Sequence, residues 1–183
     1  MAETTMKINI NNFKRIDVMQ GEKQVSSEDD VVFSTVLGSC IAACLYDPIA
    51  KIGGMNHFLL AEPSGSDHDP NSLKRYGVYA MEVLINAMLA KGAHRNRLRA
   101  RLYGGATMRS GFGDIGIKNA EFARRFLQDE HILLNAEDIG GTTARRVDFC
   151  PALGLARCRH VENQRPVERL EVVPDKAGDV TFF

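Results

Sequence analysis

Two side chains in the first third of the chain have the right chemistry for nucleophilic catalysis, the thiol of Cys40 and the imidazole of His57. A free thiol has a pKa of about 8.5 and is mostly protonated at neutral pH; a neighbouring imidazole can take that proton, release the thiolate and later return the proton to a leaving group. Gly38 and Ser39 precede Cys40. Such small residues favour an open turn whose N–H groups, with that of Cys40, could face a developing oxyanion. The chemistry expected is acyl transfer from an amide through a thioester. Gly38 and Ser39 are accordingly expected to line the substrate subsite.

The elements that must bring the two side chains together are readable nearby. Ile41 to Tyr46 and Met55 to Leu60 are apolar, β-rich runs separated by Asp47-Pro48 and by Gly53-Gly54, the pattern of a hairpin. A tight turn on Pro48 and Ile49 would set Cys40 opposite His57; a loop from Asp47 to Lys51 would set Phe58 there instead, and a bulge at the paired glycines could move the register by one. Directly opposed residues have Cβ atoms about 4.5–5.5 Å apart, within reach of a shared proton. The register therefore decides whether a dyad forms.

Further β-rich runs are expected at Ile16 to Met19, Val31 to Leu37, Leu98 to Tyr103, Ile132 to Ala136, Arg146 to Phe149, Leu155 to Val161 and Glu168 to Val173. Leu73, Tyr76, Ala80, Val83, Leu84, Ala87 and Met88 fall on one face of a helix running to Lys91, with Ser72 as N-cap and Gly92 as stop. A second amphipathic helix is expected from Asn119 to about Glu130. Glu62 to Asn71 is polar and Pro-bounded, a surface loop and candidate lid. The fold class is an α/β (α+β) layered sandwich, with a mixed, largely antiparallel sheet packed against two main helices. Residues 1–183 read as a single domain with its core at about 31–161 and an N-terminal extension over 1–27.

The other cysteines, Cys44, Cys150 and Cys158, sit in apolar runs and read as core. His68, His94 and His131 read as surface residues, and His160 as structural. A zinc site using Cys40, Cys44 and His57 is disfavoured, because residues four apart on a strand are about 13 Å apart; a helix there would lift that objection. Gly111 to Gly116 lacks the Lys-Ser/Thr ending of a phosphate loop. No metal and no cofactor are expected.

At Leu37-Gly-Ser-Cys40, Cys44-Leu-Tyr-Asp-Pro48 and Gly53-Gly-Met-Asn-His57 the sequence resembles the bacterial chemoreceptor glutamine deamidase family, CheD. The likeness continues through Leu102-Tyr-Gly-Gly-Ala106, Ile115-Gly-Ile-Lys-Asn-Ala120, Ala136-Glu-Asp-Ile-Gly-Gly-Thr142 and Arg145-Arg-Val-Asp-Phe149, and covers roughly Val31 to Val161. It implies a thiol hydrolase that converts glutamines of methyl-accepting chemotaxis receptors to glutamates and releases ammonia. Cys40 matches the family nucleophile and His57 its general base. The family's third catalytic position is a threonine shortly upstream of the cysteine, which leaves Thr35 and Ser34 as alternatives for the hydroxyl that orients His57. Asn56 is expected to orient substrate, and Tyr103, Gly104 and Gly105 to wall the site. A second reading, also implied by the resemblance, is a regulatory module that binds the chemotaxis phosphatase CheC with little catalysis.

Composition narrows the setting. The 23 basic and 23 acidic residues cancel, so no net field draws nucleic acid or an anionic membrane. No apolar run approaches the roughly 20 residues of a membrane helix, and four cysteines in 183 residues are too sparse for a disulfide framework. The expected location is cytoplasmic, without membrane insertion and with reduced thiols.

Overall fold

The computed structural model describes residues 12–60, 70–108 and 115–161. Among these residues, nine strands and two α-helices follow one another as β1 (Lys14–Asp17), β2 (Lys23–Ser26), β3 (Val31–Leu37), β4 (Ile41–Asp47), β5 (Ile52–Phe58), α1 (Pro70–Ala90), β6 (Arg99–Gly104), α2 (Ile115–Asp129), β7 (Leu133–Ile139), β8 (Arg145–Cys150) and β9 (Leu155–His160). The expected strand at Glu168 to Val173, most of the candidate lid and His68 lie outside the described residues.

The layered α+β sandwich is present, but its strands divide between two sheets, ordered β1-β3-β8-β9 and β2-β5-β4-β6-β7. Each is mixed and mostly antiparallel, with β1–β3 and β6–β7 the parallel pairs. Strand β4 explains the layering. All seven of its residues are buried, because alternate side chains point into different cores. Ile41, Ala43 and Leu45 pack with Met81, Leu84, Ile85 and Met88 of α1 and Ala120, Ala123 and Leu127 of α2. Ala42, Cys44 and Tyr46 pack with Val31, Phe33 and Leu37 of β3 and Val147 and Phe149 of β8. The order is therefore helices, five-stranded sheet, four-stranded sheet.

Two local expectations change and one holds. Ser72 lies inside α1, which begins at Pro70, a residue whose missing N–H costs nothing in a first turn. Gly92, at φ +105°, does end it, with the Ala93 N–H reaching Met88 O at 3.1 Å in a Schellman pattern. The segment read as an N-terminal extension contributes β1 and β2, which pair with β3 and β5. Strand β2, Lys-Gln-Val-Ser, carries too little apolar alternation to be found from sequence.

The hairpin adopts neither anticipated register. Asp47 pairs with Ile52 and Ala42 with His57, so the connection is Pro48–Lys51. The buried Asp47 carboxylate sets it, accepting from the N–H groups of Ile49 at 2.9 Å and Ala50 at 3.0 Å, while Lys51 takes φ +53°. Arg97 and the His94 N–H hold the same carboxylate at 2.8 and 2.9 Å. That network comes from residues far along the chain and overrides local turn preference.

Candidate active site

In this register Cys40 lies one residue before β4, on the same face as Ala42 and diagonal to His57 rather than opposite it. Both point between the sheets, where Cys40 packs against the second core. The turn carrying Cys40 is tied through three consecutive carbonyls. Gly38 O accepts from Ala106 N at 2.9 Å, Ser39 O from Asn119 Nδ2 at 2.8 Å, and Cys40 O from Gly105 N at 2.8 Å. In a trans peptide N–H and C=O point in opposite directions, so anchoring these carbonyls turns the Ser39 and Cys40 N–H groups away from the anchors. Both N–H groups are thus left on the side away from the anchoring loop, where they are available to an incoming group.

Glycines make this clamp possible. Gly104 has φ +112°, and a Cβ there would lie 2.0 Å from Cys40 O. Gly105, at φ +67°, would meet Gly116 O at 2.8 Å. The pair therefore grips the turn that carries Cys40 by close backbone approach, while Tyr103 is buried in the core between the sheets, in one row with Ala42 and His57. Behind them sits Arg145, buried completely. Its guanidinium binds Asp138 Oδ1 at 2.6 Å together with the Asp138 and Gly140 carbonyls. Gly140 N then donates to Gly104 O, and Thr107 N to Gly141 O, each at 2.9 Å.

Thr35 and Ser34 separate cleanly. Thr35 points inward, and its Oγ1 lies 2.9 Å from His57 Nδ1 and 2.8 Å from Val18 O. A carbonyl can only accept, so the hydroxyl proton goes to Val18 O and the oxygen accepts from Nδ1–H. Nδ1 is also 3.3 Å from Val18 O, again as donor. The imidazole thus carries its proton on Nδ1 and leaves the Nε2 lone pair free. Nε2 is buried without a hydrogen-bond partner among the described residues. Ser34 faces the outer side of β3, where its Oγ donates to Asp148 Oδ1 at 2.9 Å and accepts from Arg15 at 2.8 Å. It is out of reach of the imidazole.

Burial disfavours charge on both groups. Burial pushes the Cys40 thiol up, offset in part by its own N–H, and pushes His57 down, offset in part by the Val18 carbonyl. The expected lowering of the thiol is absent, because desolvation penalises both charged forms. Among the described residues there is no hydrogen bond between Cys40 and His57. The thiol donates instead to Gln20 Oε1 at 3.4 Å. Gln20, Val18 and Asn119 belong to the site although sequence reasoning passed over them; the interruption of the apolar run by Gln20-Gly21 was the one available signal.

Asn56 does not face this site. It points from the opposite face of β5 toward α1, where its amide accepts from Ala43 N and donates to Ala80 O, both at 3.1 Å. On that side an open cavity of about 420 Å3 lies between β2, β5 and α1, lined by Gln24, Asn56, His57, Tyr76 and Tyr79 among others; Cys40 is not part of its lining. Cys44 is fully buried, and Cys158, half-buried, donates to Asp138 and is pushed up to about 12 by burial and that carboxylate. No cluster of metal-ligating side chains occurs among the described residues. Because Ile41–Asp47 is a strand, Cys40 and Cys44 are too far apart to share a metal.

A family model described as CheD chemotactic sensory transduction matches residues 59–160. The chain belongs to the CheD family. A relative from a Caulobacter species, named a probable chemoreceptor glutamine deamidase CheD, is 49% identical and the alignment covers 92% of this chain and 93% of that one. A CheD of the same description from a Ruegeria species is 50% identical, covering 94% and 97%; one from Sinorhizobium medicae is 46% identical, covering 85% and 86%. Among solved structures, a Neisseria meningitidis protein of the DUF152 family is 12% identical, with a TM-score of 0.45 and coverage of 71% of this chain and 64% of its own. No helix among the described residues of this CheD chain is long and apolar enough to cross a membrane.

Proposed function

We propose that this CheD protein is a chemoreceptor glutamine deamidase, a hydrolase that converts receptor glutamine side chains to glutamate with release of ammonia, as its relatives are named. Cys40 is the nucleophile, His57 the acid and base, and Thr35 the residue that fixes the imidazole. The observation carrying the assignment is the unpaired, buried Nε2 of an imidazole whose other nitrogen is committed to Thr35.

The thiol turns from Gln20 to Nε2 and gives up its proton as sulfur attacks the carboxamide carbon. The N–H groups of Ser39 and Cys40 receive the oxyanion. The imidazolium protonates the departing ammonia; water, activated by Nε2, then hydrolyses the thioester. No cofactor takes part. Charge appears only as the substrate arrives, which suits a pair on which burial disfavours charge. The target glutamine belongs to the helical cytoplasmic part of a receptor. The protein works in the cytoplasm, where its thiols stay reduced.

Intact-mass measurement of a receptor cytoplasmic fragment tests this reading. Wild type adds about 1 Da per converted glutamine and Cys40→Ala adds none; conversion by the alanine variant would remove Cys40 from the mechanism. A module that binds CheC without catalysis has less support, since the site retains a free base and a thiol. Tight CheC binding with no receptor conversion would favour it.

A further inference from the structure

The nucleophile already has a glutamine beside it. Gln20 reaches Cys40 from a turn in which Glu22 N donates to Met19 O at 3.0 Å and Gly21 takes φ +87°, the left-handed position of a type II turn. The turn is clamped to the residue that carries the imidazole. Gly21 N donates to His57 O at 2.7 Å and His57 N donates to Glu22 O at 3.1 Å. Met19 N donates to Glu22 Oε2 at 3.0 Å, closing the turn on itself. Gln20 is thereby held at a fixed place relative to His57, with Oε1 3.4 Å from Cys40 Sγ. This hydrogen bond lays the Gln20 carboxamide directly against the sulfur that would attack its carbon. The Gln20 side chain is also exposed, so water can reach it.

We propose that Gln20 is an intramolecular substrate of this site, and that the protein converts its own Gln20 to glutamate. The inference rests on the deamidase reading above. The Sγ proton passes to His57 Nε2 and sulfur bonds to the Gln20 Cδ. The C–N bond breaks, the imidazolium proton leaves with the nitrogen as ammonia, and a thioester joins the two side chains. Water gives a proton to Nε2 and adds to the same carbon. The C–S bond breaks and the proton returns to sulfur. The sum is glutamine plus water giving glutamate plus ammonia, with no oxidant or reductant. The reaction occurs once per chain, and the product places a carboxylate beside the thiol, which opposes thiolate formation.

The test is peptide mass spectrometry on the full-length protein incubated with a receptor cytoplasmic fragment, followed over time. In wild type the peptide containing Gln20 gains about 1 Da, by first-order kinetics independent of protein concentration, while the one containing Gln128 does not. In Cys40→Ala and in His57→Ala, Gln20 persists. When isotope-labelled Cys40→Ala protein is mixed with unlabelled wild type, only the unlabelled chain converts. A receptor fragment that gains mass while Gln20 stays intact overturns the proposal and leaves the deamidase reading standing. Conversion of Gln20 in Cys40→Ala alone, or in the labelled chain of the mixture, also overturns it. If neither the fragment nor Gln20 changes, both readings fall.

Discussion

Strand β3 presents two hydroxyls one residue apart to two different environments. Outside, Ser34 sits in an ionic cluster in which Asp148 receives Arg15 at 2.6 Å and Arg157 at 2.9 Å, with Arg159 at 3.4 Å. Inside, Thr35 sits in a neutral relay from the Val18 carbonyl to His57. The outer cluster leaves its carboxylate saturated. The inner relay leaves one buried imidazole nitrogen without a partner among the described residues. Unpaired buried polar atoms are costly, and such a cost is tolerated where the atom has work to do on an incoming group. The outer cluster is saturated; the inner relay keeps a nitrogen open to an incoming group.

The sharpest break in that comparison is removal of the reacting groups. Cys40→Ala reduces receptor deamidation to background in the mass assay, and His57→Ala lowers kcat by about 10²–10⁴-fold, the usual range for general acid–base catalysis. Next comes the relay. Thr35→Val costs roughly 10–100-fold in kcat, the equivalent of one buried hydrogen bond of about 1–3 kcal/mol, with little change in KM, and Thr35→Ser recovers most of it. Ser34→Ala gives the reverse pattern: kcat stays within about 2-fold while urea melts show a loss of about 1–2 kcal/mol, because it strips a partner from Asp148.

Two pH profiles sharpen the contrast further. Burial holds the His57 imidazole below the ordinary value of 6.5, so the base form persists into mildly acid solution and the acid limb of kcat/KM falls below that pH. At Asp148 burial alone would raise the carboxyl, but hydrogen bonds from Arg157, Arg15 and Ser34 outweigh it and hold the group below the usual carboxylate range. Its stabilisation is therefore present above the unfolded carboxylate value of about 3.9 and lost as pH falls through the lower folded value. Thermal melts of wild type and Asp148→Asn, compared at pH 7 and pH 3, should converge at the acid end. The smallest expected effect is on activity at pH 7 in Asp148→Asn, which stays near wild type.

Most elements were legible because their signals are local. Val31–Leu37 carries β-branched density and α1 a long apolar stripe, so both were found close to their observed bounds. Strand β2 was not, since an edge strand of Lys, Gln, Val and Ser owes its conformation to pairing with β5 rather than to its own side chains. Within the site, Cys40 and His57 stood out by residue type and by the glycyl turn. Their relation did not, because the hairpin register depends on Asp47 being held by Arg97 and His94.

By itself the sequence determined the residue inventory, the continuous apolar run that becomes β4, and the motifs that resemble CheD. Only the tertiary structure decided which of two adjacent hydroxyls meets the imidazole, because inward and outward faces are assigned by what packs on each side of β3. It alone decided that Asn56 faces α1, and that a turn from the N-terminal segment lays Gln20 against Cys40. Those are contacts between residues distant along the chain, and local propensity carries no information about them.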